Sequence, residues 1–168
     1  MKKIIVLVVL LSVFFSGFGI YNYLSQHGDF IKTSHSLVVR DLLSGGNILF
    51  ISYRFQWEGF GSPEITKVDF LKGDGSIVQD DEILIETYIT ENDFGMLREV
   101  DMINENLKDQ LLPIESYKVD KNFTLVLGIK LLDENFNNDI QTVRIFYKKL
   151  GKNLVQDISF KEGVILEE

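Results

Sequence analysis

The chain has 168 residues, of which 45% are apolar and 25% are charged, and it contains no cysteine. This length indicates one domain with an appendage, and the ordinary composition excludes a disordered chain, a collagen-like chain and a membrane protein with several spans. Its 25 acidic and 17 basic residues give a formal charge of -8. Nucleic acid is therefore not an expected partner, because binding to phosphates needs a concentrated basic face.

Residues 1–24 form the appendage. Lys2 and Lys3 precede an uncharged, largely apolar stretch from Ile4 to Leu24. As a helix this stretch reaches roughly 31 Å, which matches the hydrocarbon core of a bilayer. We expect a single transmembrane anchor through residues 4–24, with the amino terminus in the cytoplasm and the domain outside. The alternative is a signal peptide that is cleaved near Gly19 and releases a secreted domain.

Residues 25–36 are polar and predict a short tether. The domain then occupies residues 37–168. Its first clear strand pattern runs from Asn47 to Trp57, where apolar and polar residues alternate, and a second follows from Ile65 to Lys72. Asp74 and Gly75 behind it predict a tight hairpin turn.

The period changes after residue 90. Apolar residues recur every three to four positions from Phe94 to Leu111, which predicts a helix over about 93–111 that ends before Pro113. The acids of this segment are expected on the solvated face of that helix.

Strand patterns resume in the last third of the chain. Residues 123–131 are apolar on both faces and predict a central strand, residues 142–147 and 154–160 predict a hairpin, and residues 163–166 predict a last short strand. About seven strands with regularly spaced turns predict a mainly β fold. The expected architecture is an immunoglobulin-like two-sheet sandwich with a helical insert, preceded by the N-terminal transmembrane helix.

The loop from residue 133 to 139 is the candidate for a metal site. Its oxygen-bearing side chains alternate, at Asp133, Asn135, Asn137 and Asp139. A calcium loop also needs Gly at its sixth position and Glu at its twelfth, whereas this chain has Asn138 and Arg144 there. A plain loop between strands is the competing interpretation, because Asn and Asp tolerate turn conformations.

The usual catalytic motifs are missing from the sequence. His27 and His35 are the only histidines and lie in the expected tether, there is no cysteine nucleophile, and no Gly-x-Ser-x-Gly, His-Glu-x-x-His or phosphate-binding glycine motif is present. We therefore expect neither an enzyme nor a cofactor. An envelope hydrolase with a carboxylate pair is a further alternative that predicts a concave pocket holding two acids.

The strongest charge asymmetry lies in residues 80–115, which hold eleven acids and two basic residues. A surface of this kind attracts a basic partner. The candidate partner-binding residues are Glu99, Asp101, Glu105 and Asp109. Phe60 is a further candidate, because it lies between two glycines after a strand that carries Trp57.

Three stretches, Phe50–Gly59, Ile65–Gly75 and the hairpin from the 140s to 160, together with Lys2, Lys3 and the apolar start, resemble small exported proteins of Gram-positive bacteria with immunoglobulin-like domains. This resemblance implies an exported domain and assigns no activity or site residue. The expected function is a membrane-anchored binding or scaffolding protein with an envelope protein as its partner. The alternative is a secreted or anchored ligand-binding or metal-binding domain that uses residues 133–139.

Overall fold

The computed structural model describes residues 2–133, 136, 140–161 and 163–166. The chain begins with helix α1, Lys2–Gln26. This helix is long and apolar enough to cross a membrane, and its described side chains are exposed as far as Tyr21. A signal sequence has the same length and composition, so the helix alone does not locate the protein.

Two antiparallel sheets make up the domain, together with a short parallel strand pair. The described residues form the strands β1 Gly28–Lys32, β2 Val38–Val39, β3 Leu49–Gly59, β4 Glu64–Lys72, β5 Ile83–Thr90, β6 Met96–Arg98, β7 Leu112–Pro113, β8 Tyr117–Lys118, β9 Asn122–Leu131, β10 Ile140–Lys149, β11 Lys152–Ser159 and β12 Ile165–Leu166. Short 3-10 helices lie at Arg40–Gly46 and Lys108–Gln110, and helix α2 spans Glu99–Asn104.

The larger sheet has the order β1-β3-β9-β5-β7, and β6 also pairs with β3. The smaller sheet has the order β11-β10-β4-β8, and β2 and β12 form the parallel pair. The mainly β fold with two antiparallel sheets is therefore confirmed. Strand β9 lies between β3 and β5, so the prediction of a central strand over residues 123–131 is confirmed.

The core fills the space between the two sheets. Alternate residues of β3 point into it, as their pattern predicts, and meet inward residues of β9 and β10. Buried side chains from these three strands are Leu49, Ile51, Tyr53, Phe55, Trp57, Phe123, Leu125, Leu127, Ile129, Val143, Ile145 and Tyr147. Because these side chains come from strands distant in sequence, their burial holds the two sheets together.

The strand ends define two ends of the domain. Strand β3 runs from Leu49 at one end to Gly59 at the other, where Gly59 pairs with Gly28, two residues after α1 stops. We call this the α1 end. The β3–β4 loop and the β10–β11 turn lie at the same end, because Lys148 pairs with Glu64 at the start of β4. The opposite end is called the far end.

The tether expected over residues 25–36 differs from the structure. Helix α1 continues to Gln26, and β1 pairs with β3 along its whole length. Phe30 explains this, because its ring is buried against Trp57, Phe123 and Tyr147, with ring centroids 4.9, 5.7 and 5.1 Å away. Gln156 also bonds both the N–H and the carbonyl of Phe30. One residue, His27, thus separates the helix from the sheet.

The helix expected over about 93–111 is also much shorter than the pattern predicts. Met96–Arg98 is a strand on the edge of β3, and the helix is limited to Glu99–Asn104. Gly95 and Asn106 have φ values of 69° and 53°. Both values lie in the left-handed region, which does not continue a right-handed helix. The segment lies against the outer face of the larger sheet and not between two halves of the sandwich.

Candidate partner-binding surface

Residues 93–112, which we call the cover segment, close over the outer face of the larger sheet. Phe50 of β3 and Val126 of β9 point outward there and are fully buried together with Met102 of α2. Further apolar side chains pack around these three, namely Ile48, Tyr88, Phe94, Leu97, Leu107 and Leu111. The cover segment therefore has its own small core, separate from the core between the sheets.

Ser52 fixes the start of the cover segment. Its hydroxyl donates to Asp93 Oδ1 at 2.6 Å and accepts from the N–H groups of Gly95 at 2.8 Å and Phe94 at 3.3 Å. Arg54 Nε lies 3.1 Å from the other carboxylate oxygen of Asp93. The hydrogen bond from Ser52 lowers the pKa of Asp93, with the Gly95 N–H and Arg54 acting in the same direction and burial opposing them.

Helix α2 exposes two apolar side chains on its outer side. Val100 is 52% exposed and Ile103 is 55% exposed, and residues three apart lie on the same face of a helix. Their neighbour Met102 is the buried one. A continuous helix over about 93–111 predicts Val100, and Ile103 or Asn104, on its inner face. The exposed pair was thus missed, and Met102 was the signal that could have shown the correct phase.

The four candidate acids lie on the same segment as this pair and differ in their partners. Glu99 is 2.8 Å from Lys108 Nζ, and Asp101 is 3.1 Å from Arg98 Nε. Within the described residues, no ion pair involves Glu105 or Asp109, and both are exposed. The charges free to attract a partner are therefore those of Glu105 and Asp109. We call Val100, Ile103, Glu105 and Asp109 the candidate surface.

Phe60 lies at the other end of the domain. It is 58% exposed, in the loop that follows β3 at the α1 end. Val100 and Ile103 of the candidate surface follow strand β6, which pairs with Leu49–Ile51 at the far end of β3. The ten steps from Leu49 to Gly59 correspond to roughly 33 Å of extended strand. The two sets of candidate residues thus belong to different surfaces.

Most of the candidate metal loop lies outside the described residues. Asn135, Asn137 and Asp139 are among the residues that are not described, and Asp133 is exposed after the end of β9. Among the described residues, no group of three or more His, Asp or Glu side chains could hold a metal ion. The metal hypothesis therefore gains no support from the part of the chain that the structure describes.

A polar groove of about 680 Å³ bears on the hydrolase alternative. Ten residues line it, and two of these, Glu91 and Asp120, are acids. Burial raises the pKa of Tyr117 in the same groove, and the charges of Glu91 and Asp120 add to this effect. Two acids in ten residues is close to the average of the chain, which has 25 acids in 168 residues. The pair therefore does not distinguish a catalytic site from an ordinary acidic surface.

Comparison with known proteins finds no family model and no curated protein that matches this chain. The function is therefore argued from the geometry alone.

Proposed function

We propose that this protein is a membrane-anchored binding or scaffolding protein of the cell envelope, and not an enzyme. Helix α1 crosses the bilayer with Lys2 and Lys3 in the cytoplasm, as the positive-inside rule requires. The β domain stands outside and presents the candidate surface to a basic partner protein. The single observation that carries this function is the exposed apolar pair Val100 and Ile103 on the same segment as the exposed acids Glu105 and Asp109, which form no ion pair within the described residues.

The chemistry of the candidate surface supports a protein partner. Interfaces place apolar anchors at the centre and polar or charged groups at the rim. Unpaired acids at the rim speed association with a basic partner and make it sensitive to salt. Because Val100 and Ile103 follow β6, which pairs with the far end of β3, a partner reaches this apolar pair without contact with the bilayer from which α1 emerges.

The strand order supports an immunoglobulin-like arrangement for the domain. Seven strands, in chain order β1, β3, β4, β5, β9, β10 and β11, lie in the orders β1-β3-β9-β5 and β4-β10-β11. Constant-type immunoglobulin domains place their first, second, fifth and fourth strands in one sheet and their third, sixth and seventh in the other. On this interpretation the cover segment is an insertion between the fourth and fifth strands. Such sandwiches host many functions, so the fold alone does not identify the partner.

Photocrosslinking in cells that express the full chain tests this function. A photoreactive amino acid replaces Ile103 in one variant and Val155 of β11 in the control, because both side chains are 55% exposed. We expect a defined crosslinked protein from position 103 that position 155 does not give. Glu105→Gln with Asp109→Asn should lower this yield severalfold, while neutralising the exposed Glu58 and Asp41 should leave it unchanged.

Two results would contradict the proposal. The first is a crosslinking pattern from position 103 that does not differ from that of position 155. The second is a yield that is indifferent both to the Glu105 and Asp109 substitutions and to added salt. In either case the candidate surface is an ordinary solvated part of the domain.

A further inference from the structure

We propose that the α1 end of the domain is itself seated on the bilayer, with Phe60 and Leu150 inserted among the headgroups of anionic lipids in the leaflet from which α1 emerges. This inference rests on the proposed membrane anchoring and adds a second contact with the membrane. It concerns the β3–β4 loop and the β10–β11 turn, which lie side by side at the end where α1 stops.

A direct contact sets the depth of the β10–β11 turn. The Tyr21 hydroxyl donates to the Leu150 carbonyl at 2.6 Å, and Tyr21 lies five residues before the end of α1. Five residues of helix correspond to about 7.5 Å. The turn therefore reaches back along α1 by that distance, towards the membrane. The proposed span ends at Leu24, about 4.5 Å along the helix beyond Tyr21, so the Leu150 carbonyl that Tyr21 bonds lies at the boundary between the acyl chains and the headgroups.

Two further contacts hold the turn against the helix. Lys152 Nζ donates to Asn22 Oδ1 at 3.0 Å. Lys149, which is buried, donates to the His27 carbonyl and lies 4.9 Å from the centre of the Trp57 ring. Burial lowers the pKa of Lys149, against the effect of the nearby Asp29. These bonds join the hairpin to α1 and do not permit the turn to rise away from the membrane while they hold.

The side chains exposed at this end fit a lipid surface. Phe60 and Leu150 are exposed apolar residues on two neighbouring loops, and apolar side chains of this kind insert at the boundary of headgroups and acyl chains. The turn and the strand residues beside it, 145–156, contain three lysines and no acid, and Lys148 beside the turn is exposed. Other charged residues at this end are Lys118 and Lys121 and the acids Asp29, Glu58, Glu64, Glu91, Glu115 and Asp120. The turn itself is thus basic, as anionic headgroups require.

Because the chain contains no cysteine, single cysteines can report the depth of each loop. The full chain is reconstituted in vesicles of phosphatidylglycerol and phosphatidylcholine, with an environment-sensitive fluorophore at Phe60→Cys or Leu150→Cys. Leu132→Cys is the matched control, because Leu132 is an exposed leucine after β9 at the far end. We expect labels at 60 and 150 to be quenched by lipid-borne nitroxides and protected from iodide in solution, and the label at 132 to behave in the opposite way.

A charge substitution tests the role of the lipid headgroups. Lys148→Gln should lower the ratio of seated to unseated domains about fivefold in anionic vesicles, since a lysine near such a surface contributes about that factor. Lys161→Gln, which removes an exposed lysine beyond the end of β11, should have no effect. In vesicles of phosphatidylcholine alone, the two variants should not differ from the parent protein.

Failure of this inference and failure of the proposed function give different results. If the chain resists alkaline extraction but labels at 60 and 150 are as open to iodide as the label at 132, the anchor stands and the seated end is overturned. If alkaline carbonate extracts the full chain, both the anchor and the seated end are overturned. A missing partner in the crosslinking experiment leaves the seated end intact.

Discussion

Ser52 is the residue on which the position of the cover segment depends. It lies on the outward side of β3, yet it is fully buried, and its hydroxyl serves one carboxylate and two backbone N–H groups. Without this hydroxyl those three groups would lose a partner where water has little access. The alternation over residues 47–57 predicts that Ser52, one of its polar positions, lies on the solvated face, because a serine in an alternating strand does not reveal that a distant segment will cover it.

Ser52→Ala should destabilise the full chain in detergent by about 2 kcal/mol, the usual cost of leaving buried polar groups unsatisfied. Urea denaturation followed by tryptophan fluorescence measures the free energy of unfolding. Ser62→Ala is the control, because Ser62 is exposed in the β3–β4 loop, and its effect should stay within about 0.5 kcal/mol. Equal stability of the two variants would show that the Ser52 hydroxyl does not hold the cover segment.

Asp93 makes the same attachment sensitive to acid. Its pKa in the folded chain is below the ordinary value of 3.8, chiefly because Ser52 donates to it. A lowered pKa stabilises the fold at pH values above the ordinary pKa, and this stabilisation is lost as the pH falls through the lowered value. Asp93→Asn should therefore cost about 1 kcal/mol near neutral pH, the size of one hydrogen bond to a partly exposed charge.

The difference between the parent protein and Asp93→Asn should begin to shrink as the pH falls below about 4, where the unfolded chain takes up the proton, and should vanish below the lowered pKa, where the folded carboxylate is neutral too. Urea unfolding at a series of pH values measures it. If the difference in free energy of unfolding stays constant down to the lowest pH at which the chain folds, the negative charge of Asp93 does not stabilise the fold.

At the scale of elements, local patterns predict the long strands well and the cover segment poorly. The pattern at residues 47–57 predicts β3 closely, because strand alternation records which side faces the core. The helix over 93–111 is predicted wrongly in length and phase. Its apolar residues were assigned to one face, but the backbone at Gly95 and Asn106 divides the segment, and this division depends on pairing with β3. Such tertiary pairing leaves no local period.

The candidate surface shows the same division between local and tertiary information. The acidic run of residues 80–115 and its four candidate acids on the cover segment can be identified from the sequence. The sequence does not show which of these acids form ion pairs, because Lys108 reaches Glu99 only through the turn at Asn106. The separation of Phe60 from these acids also follows from strand register and not from local sequence.

Met102 and Ile103 allow the phase of α2 to be tested at adjacent positions. Met102 fills the space between Phe50 and Val126, so Met102→Ala should lower the free energy of unfolding by about 2 kcal/mol through the cavity it leaves. Ile103→Ala should change it by less than about 0.5 kcal/mol, because its side chain is exposed. Instead, Ile103→Ala should weaken partner binding, which Met102→Ala affects only through stability. Reversed stability effects would contradict the phase of the helix described above.

For the whole molecule, the decisive feature is the junction between α1 and the sheets. Only His27 separates α1 from β1. Tyr21, Asn22 and the His27 carbonyl are each bonded to the β10–β11 hairpin. A domain on a flexible tether would sample many orientations, whereas this junction fixes the direction of β3 relative to α1. Under the proposed anchoring, Val100 and Ile103 would then stand at a fixed distance from the bilayer.

Distance measurements between spin labels at Leu11 and Leu132, both exposed, test this rigidity in the full chain in lipid nanodiscs. We expect a narrow distribution for the parent protein. Tyr21→Phe with Lys152→Gln removes two of the three bonds to the hairpin and should broaden it. Tyr23→Phe should not, because the described contact of the Tyr23 ring is with His27 of its own segment.

A parent distribution as broad as that of a variant with a Gly-Ser linker after His27 would show that the junction is flexible. The candidate surface would then have no fixed height, and a partner could meet it at any distance that the linker allows. A narrow distribution has the opposite consequence. Because the strand cannot tilt freely, a partner would have to present its basic face at one distance from the bilayer to meet Val100 and Ile103, so that under the proposed anchoring the junction itself selects the partner by its height.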